Sequence, residues 1–580
     1  MHAADQPGIA EIRWRSFAVA GGRSRSFAVV RSHSQSFAVV RSRSADPFPP
    51  FPPATPAAVN YRLLCRYLGI VCLLIGGSMS FSLPFAIPSL GVRTYLPPAE
   101  SFERQGAMGL IGSMAICITT GGILFGIGRR RVRGTLYLKE AMAVVGLSWI
   151  LATVLGALPY VLAGTRTTDE ARPVTMFEAM FESQSGFSTT GATIYTDLET
   201  PSSIPHCILF WRSWTHFLGG LGIVVLFVAI LGQGSAGKAI MRAEMPGPDK
   251  ESGTPRMQQA AWAFAGIYLT LNLVLTTIYM AEGMTLFDGL CHAFGTMATG
   301  GFSTYNASHG RFDSSLIDYT TILFMIAAGT NFTLLYLSMI QSPRKLLADV
   351  EFRTYIGIIT VVTGGIVFFG MRAGDEHFGS LAESVRYGLF TVVSIITTTG
   401  YGTADFDQWN NFGRGVLFML MFVGGCAGST GGGLKVIRHV LFFKILGLEI
   451  ERQHRPRVIR QLRVGENAVD DPAITSSIVI YFCMILAIFV ASWLMLITFE
   501  PIDTWGGTDG TPDQKLLDTA TAVAATLNNI GPGLGVVGAT QNYAGFSQGA
   551  KALFTFLMVL GRVEVFCVLV LLSPSFWRRV

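Results

Sequence analysis

Charge is scarce in this chain. Asp, Glu, Lys and Arg make up 14% of its 580 residues, against about 25% in ordinary soluble proteins. Half of the residues are hydrophobic, 65 are glycine, and the mean hydropathy is +0.46. Together these exclude a water-soluble globular protein and leave a chain that crosses a membrane many times, its small residues letting helices approach closely. Paired cysteines are also missing. Cys65, Cys72, Cys117, Cys207, Cys291, Cys426, Cys483 and Cys567 are scattered singly, which excludes a disulfide framework or a CxxC metal site and reads as small buried hydrophobes. The histidines show no metal spacing. No HExxH, Ser/His/Asp set or paired aspartates lie in the apolar spans, which argues against a membrane-embedded enzyme. No G-x-G-x-x-G or phosphate-loop motif sits in a strand–helix context, so nucleotide control, if any, comes from a partner chain.

The basic residues fall in clusters between apolar runs. Arg129, Arg130, Arg131 and Arg133 form one, Arg344, Lys345 and Arg353 a second, and Arg452, Arg455, Arg457, Arg460 and Arg463 a third, with Arg578 and Arg579 at the end. Lys/Arg-rich connections stay cytoplasmic. The net charge of +6 therefore orients the chain among membrane lipids and does not mark a nucleic-acid surface.

Residues 1–58 stand apart. Ser-Phe-Ala-Val recurs at Ser16, Ser26 and Ser36, and a Pro-rich run extends from Pro47 to Pro56. The stretch lacks a signal-peptide core, and its Arg/Ser bias loosely resembles an organelle transit peptide. We read it as a disordered arm, or as an upstream stretch taken in by a mis-set start. Ten apolar runs follow, near 62–90, 106–128, 137–163, 205–232, 258–282, 314–341, 353–373, 413–446, 473–498 and 549–574, each reaching about the 20 residues that cross a bilayer. An even number puts both termini on one side, and Arg62, Arg66, Arg578 and Arg579 make it the cytoplasm.

From the third run onward, each pair encloses a shorter apolar segment, near 174–188, 285–297, 381–397 and 514–528. These are too short to span and read as re-entrant pore helices. The expected fold is all-α and polytopic. After the arm come two extra transmembrane helices (59–134), then four helix–pore helix–filter–helix repeats with pseudo-four-fold symmetry, at 135–247, 248–346, 347–462 and 463–580.

Each short segment runs into a glycine motif: Thr189-Thr190-Gly191, Ala298-Thr299-Gly300, Thr398-Thr399-Gly400-Tyr401-Gly402 and Asn529-Ile530-Gly531. The glycines Gly191, Gly300, Gly400 and Gly531 are 109, 100 and 131 residues apart. Non-helical backbone at membrane depth is tolerated where it lines a cavity or is buried in protein, and glycine allows successive carbonyls to face a common axis. The third motif is close to the potassium-channel filter, where carbonyls replace the hydration shell of the ion. None of the four motifs holds a carboxylate, which a calcium or magnesium site would use. One glycine-rich stretch would read as a packing site or turn; four, each closing a re-entrant segment, read as a potassium filter.

These motifs occur with Gly424-Gly425-Cys426-Ala427-Gly428-Ser429-Thr430-Gly431-Gly432-Gly433-Leu434-Lys435, Arg242 to Pro248, Ala524 to Gly535 and Gly561 to Phe566. Together they resemble the Trk/Ktr/HKT superfamily, and within it the bacterial Trk-type potassium uptake subunits, over roughly residues 60–580. The resemblance implies a bacterial inner-membrane homodimer with one pore per protomer, controlled by a cytoplasmic ring of nucleotide-binding regulatory subunits. Many Trk members are less channel-like than Thr398–Gly402 at the third filter, and sodium-preferring relatives often carry serine at the place of Gly191. Both points favour potassium.

Six of the ten residues from Gly424 to Gly433 are glycine, each costing about 1 kcal/mol in a helix interior. The 413–446 run is therefore expected to unwind, into a close-packing kink or a mobile gate. The resemblance favours a gate that includes Gly424, Gly425, Gly428, Ser429, Thr430, Gly431, Gly432, Gly433 and Lys435, with Arg562 projecting into the pore nearby. Gly329-Thr330-Asn331 is a smaller candidate break. Arg562 lies inside the last apolar run, where a charge needs a cavity or a partner; Glu564, two residues on, faces elsewhere on a helix. Glu182 braces the first filter or pairs with Arg212. Asp197 and Asp405 either gather cations at the mouth or are solvated loop residues, and His216 reads as a core histidine. The arginine-rich 436–472 stretch is the expected docking surface for regulatory subunits. Passive, voltage-driven potassium uptake leads, with ammonium and rubidium also passing. Proton- or sodium-coupled symport comes second, since no chain of intramembrane carboxylates is evident. A transport-silent sensor sits poorly with four intact filters.

Overall fold

A computed structural model describes residues 15–17, 25–27, 59–96, 103–129, 138–167, 172–200, 203–222, 257–375, 377–456, 460–464, 467–469, 472–501, 504, 512–563 and 565–578. Two units separate, Val59–Arg578 and Met1–Ala58 with Arg579–Val580. In the smaller one, Arg15–Phe17 pairs antiparallel with Arg25–Phe27, setting Ser16 opposite Ser26. Two copies of the Ser-Phe repeat thus form a short ladder; the rest of the arm, and the Arg242–Pro248 motif, lie outside the described residues.

The larger unit is helical. Among the described residues, six helices are long and apolar enough to cross a membrane: Tyr61–Ala86, Glu103–Gly128, Lys139–Leu162, Trp262–Ala281, Val350–Ala373 and Thr475–Phe499. The pair Ser315–Ala328 and Phe332–Ile340 is long and apolar enough only when taken together, and it is bent by 102° at Gly329-Thr330-Asn331. The other three expected spans are interrupted or described only in part. His206–Leu221 stops at Gly222, whose φ of +77° leaves the helix, and residues 223–256 are not described. Asn411–Leu420 is separated from Val436–His454 by the glycine-rich stretch. Gln548–Arg562 ends at Val563, which is extended at φ −91° and ψ 142°, before Val565–Leu572 begins. The continuous 549–574 run expected from sequence is therefore two helices, and Arg562 is the last residue of the first one, not a mid-helix charge.

Burial is arranged for a lipid solvent. Val361 and Phe499 are 75% and 78% exposed, while Thr189, Thr190, Thr398, Thr399 and Asn529 are fully buried. In water this distribution would be inverted. The molecule is an all-α membrane protein with a polar centre.

Four short helices supply that centre: Met176–Phe187, Leu286–Met297, Leu381–Ile396 and Pro512–Leu527. The first two have 12 residues, about 18 Å at 1.5 Å per residue, well short of the ~30 Å hydrocarbon layer. Their starts share one chemistry. Thr175 forms a capping box with Glu178, and Thr285 and Ser380 accept from the N–H groups of Asp288 and Glu383. Each cap satisfies a donor that lipid could not.

Candidate functional site

The four short helices end alike. Ser188, Ala298 and Thr397 keep helical backbone at the C-caps. The next residues, Thr189, Thr299 and Thr398, turn left-handed at φ +54°, +54° and +60°, and Asn529 does so at +55°. The N–H that follows returns to the carbonyl five residues back: Thr190 to Ser185 at 2.9 Å, and Gly300 to Gly295, Thr399 to Ser394 and Ile530 to Ala525 at 2.8 Å. Glycine usually makes this closure. A β-branched threonine there is strained, and three of the four loops use one. A glycine of positive φ stands two residues after each: Gly191 (+86°), Gly301 (+73°), Gly400 (+79°) and Gly531 (+96°).

This pattern corrects the register of the second motif. Ala298 is the helix cap, in the place of Ser188 and Thr397, and the triple equivalent to Thr189-Thr190-Gly191 is Thr299-Gly300-Gly301. Two adjacent glycines hid the shift in the sequence, because either one fits a glycine motif.

The glycines join the loops into a circle. A β-carbon on Gly531 would stand 2.5 Å from the carbonyl oxygen of Thr190. β-carbons on Gly191, Gly301 and Gly400 would lie closer still to the carbonyl oxygens of Gly300, Thr399 and Ile530. The first loop thus abuts the second, the second the third, the third the fourth and the fourth the first. Gly191, Gly301, Gly400 and Gly531 also line one cavity of about 80 Å³. Among the described residues no cluster of His, Cys, Asp or Glu could hold a metal ion; the oxygens gathered here belong to the backbone.

The exits of the loops are braced by buried side chains. Glu182 takes both expected roles. Its carboxylate accepts from Arg212 Nε at 2.5 Å, and from Thr193 Oγ1 and Ile194 N–H at 3.0 Å. Arg212 in turn donates to the Ser303 carbonyl at 3.0 Å and lies 3.4 Å over the Phe302 ring, so the pair ties the first exit to the second. Glu182→Ala leaves the buried guanidinium without its carboxylate and is expected to cost about 3–5 kcal/mol. Thermal unfolding in detergent measures it, and an unchanged midpoint would remove the brace.

Tyr401 of the third motif points away from the circle, its hydroxyl donating to the His292 carbonyl at 3.1 Å. Tyr543, which no sequence motif marked, donates its hydroxyl to the Gly531 carbonyl and its N–H to the Thr193 carbonyl, both at 2.8 Å. Asp197 accepts from the N–H of Glu199 (2.7 Å) and from Asn306 Nδ2 (2.8 Å), and Asp405 caps the Phe406–Gln408 turn. Both are engaged in loop structure. His216 stacks on Phe302 at 4.1 Å.

The glycine-rich stretch packs against this circle. The N–H of Gly424 bonds the Leu434 carbonyl at 2.7 Å and that of Val436 the Gly425 carbonyl at 3.1 Å, closing the neck of a loop. Inside it, Cys426 N–H reaches the Gly329 carbonyl at 2.8 Å, and the Gly428 carbonyl accepts from Phe332 N–H at 3.1 Å. Gly432 N–H donates to Thr398 Oγ1 at 2.8 Å. β-carbons on Gly431 and Gly432 would meet the Thr397 carbonyl at 3.0 Å and Asn529 Cβ at 2.8 Å. Gly433 turns left-handed at φ +63°. Lys435 is buried and donates to the Gly431 carbonyl and, at 3.4 Å, to Ser429 Oγ. Arg562 donates to the Thr430 carbonyl at 2.6 Å and to the Gly219 carbonyl at 2.5 Å. Gly431, Gly432 and Gly433 of this stretch meet the third and fourth loops, whereas Gly425 and Gly428 meet Gly329 and Asn331, and Arg562 joins Thr430 to Gly219. Glu351 was not foreseen. Its Oε1 accepts from Ala427 N–H at 2.8 Å and Ile437 N–H at 3.0 Å, gripping the loop at two points. Glu564 lies outside the described residues.

Residues 110–579 match the TrkH family model, described as a cation transport protein. The chain is 34% identical over 528 residues to the Trk system potassium uptake protein TrkH of Escherichia coli K12, covering 90% of this chain and 100% of that protein. It is 32% identical over 447 residues to TrkG of the same strain, covering 76% and 86%. The crystal structure of the potassium transporter TrkH from Vibrio parahaemolyticus is similar at a TM-score of 0.74 and 31% identity, over 90% of this chain and 100% of that one. The chain therefore belongs to the TrkH family of cation transport proteins and is a transporter, not an enzyme.

Proposed function

We propose that this protein takes up potassium across the bacterial cytoplasmic membrane through a pore on the axis of the four loops. The observation that carries the reading is the closed circle in which Gly191, Gly301, Gly400 and Gly531 each abut the next loop's carbonyl. Neutral carbonyls in such a ring replace the hydration shell of a weakly hydrated monovalent cation, and the absence of carboxylates from the motifs leaves little for a divalent one. The strained left-handed threonines fit a backbone held for function. Relatives at 34% and 31% identity are a potassium uptake protein and a potassium transporter, which agrees with that chemistry. The units around the loops are four helix–pore helix–filter–helix repeats related by pseudo-four-fold symmetry, preceded by two extra helices.

The loop from Gly424 to Lys435 is the gate. It lies against the third and fourth filters, and Arg562 pins it while placing a positive charge beside the path. The Val436–His454 helix leads from the gate to exposed Arg452, Arg455 and Arg460, a surface suited to cytoplasmic, nucleotide-binding regulatory subunits. The working unit is a homodimer with one pore per protomer and both termini cytoplasmic. Uptake is driven by the membrane potential. Symport with protons or sodium is less well supported: Glu182 is paired with Arg212, and Glu178 with Arg172 and Lys551, so neither carboxylate is available to relay ions.

Rubidium-86 influx into proteoliposomes, with sodium as competitor and a pH gradient imposed or removed, tests the proposal. Influx that follows the electrical gradient and resists sodium is expected. Influx that requires a proton or sodium gradient would replace the pore by a symporter.

A further inference from the structure

The first two transmembrane helices lie outside the four units, yet the connection between them enters the same outer region as the loops. Arg93, 2% exposed, donates from Nη1 to the carbonyls of Leu198 at 2.8 Å and Thr304 at 3.1 Å, and from Nη2 to the Glu199 carbonyl at 3.4 Å. Its Nε donates to His206 Nε2 at 3.2 Å. A guanidinium can only donate, so the imidazole proton sits on Nδ1, where it meets Glu103 Oε1 at 2.7 Å. Glu103 begins the second transmembrane helix. Thr94, which follows Arg93, gives its N–H (2.6 Å) and hydroxyl (2.7 Å) to Asp288 Oδ2. Asp288 also accepts the hydroxyls of Thr304 at 2.7 Å and Tyr305 at 2.8 Å.

Buried Arg93 and half-buried Thr94, in the connection of the first helical pair, thus span a seam between distant parts of the chain. Leu198 follows the first loop, and Thr304 and Tyr305 follow the second. Leu198 and Tyr305 line the cavity that Gly191, Gly301, Gly400 and Gly531 share. A buried guanidinium is retained where its planar fork fixes several acceptors at once, and here most of its acceptors are main-chain carbonyls whose positions define the loop exits.

We infer that Arg93 is a positioning residue for ion selection, and that with Thr94 it makes the first helical pair a clamp setting the spacing of the first and second filter loops. Arg93 does not touch the ion; it acts through the backbone. The inference rests on the proposed filter, so the experiment separates the two.

Rubidium influx and sodium competition are measured in proteoliposomes for Gly400→Ser, Arg93→Gln, Arg93→Lys and Thr94→Val, each checked for a monodisperse dimer. Unchanged discrimination in Gly400→Ser would sink the filter itself, whatever Arg93 does. With that control impaired, Arg93→Gln is expected to lower the rubidium-over-sodium preference roughly tenfold, the scale of one charge-assisted hydrogen bond. Arg93→Lys should recover part of it, because an ammonium reaches one or two carbonyls but cannot also hold His206. A role confined to stability would reduce the flux of both ions alike, and an unchanged ratio in assembled Arg93→Gln would overturn the inference. If Arg93→Gln does not assemble, Thr94→Val decides: a lowered ratio supports the clamp and a wild-type ratio refutes it.

Discussion

Gly400→Ser is expected to cut potassium uptake about a hundredfold and to erase discrimination against sodium in protein that still assembles. Two costs combine. Gly400 has φ +79°, a conformation that costs a non-glycine residue about 1–3 kcal/mol. Its β-carbon would also collide with the Ile530 carbonyl oxygen and stand 2.7 Å from Pro532 Cδ. Neither obstacle is the end of a flexible side chain, so relief requires the fourth loop to move. A loss of about 2.7 kcal/mol is a hundredfold. Gly402 supplies the contrast within the same motif. It has no positive φ, and its β-carbon would meet only the Ala539 side chain at 3.0 Å and backbone beyond 3.6 Å. Gly402→Ala should keep most of the uptake and the ion preference. Equal effects of the two substitutions in rubidium uptake by potassium-transport-deficient cells would show that the circle is not what selects.

Arg562→Ala should raise flux through the isolated protein, measured without any regulatory partner, by about ten- to a hundredfold. Arg562 holds the Thr430 carbonyl in the glycine loop and the Gly219 carbonyl at the end of the His206–Leu221 helix. A hydrogen bond from a charged donor contributes about 1.5–3 kcal/mol, and even one such bond lost from the closed loop shifts its equilibrium by that factor. Removing the positive charge also lowers the barrier to a cation passing beside it. Arg562→Lys separates these contributions: it keeps the charge and loses the fork, so its flux should lie between wild type and alanine. Flux that falls or stays constant in Arg562→Ala would take the gate away from this loop.

The sequence was legible where one residue type has one physical use. Six glycines within ten residues at 424–433 announce an unwound loop, and the chain does unwind there. A threonine or asparagine two residues before a glycine, after a short apolar segment, marks a turn out of the helix, and the chain turns left-handed at Thr189, Thr398 and Asn529. The second loop departs from the expected register, because in Ala298-Thr299-Gly300-Gly301 composition cannot say which glycine takes the positive φ; packing against the Thr399 carbonyl decides it. The break after Arg562 had no local signal, since Val563 is neither glycine nor proline. Braces joining residues far apart in the chain were the least visible. Arg93 meets Leu198 and Thr304 across 105 and 211 residues, and Glu351 grips the glycine-rich loop 76 residues away; one sequence holds no trace of either pairing. Arg212 was named as a partner of Glu182, but its reach to Ser303 emerges only when the first and second units are seen side by side.

The most direct test of the account is to locate the ion. Crystals of the purified protein grown in rubidium and measured at its absorption edge should show anomalous density on the axis enclosed by Thr190, Gly300, Thr399 and Ile530, and this density should fade when sodium replaces rubidium. Anomalous density confined to side-chain carboxylates away from these four carbonyls would contradict it.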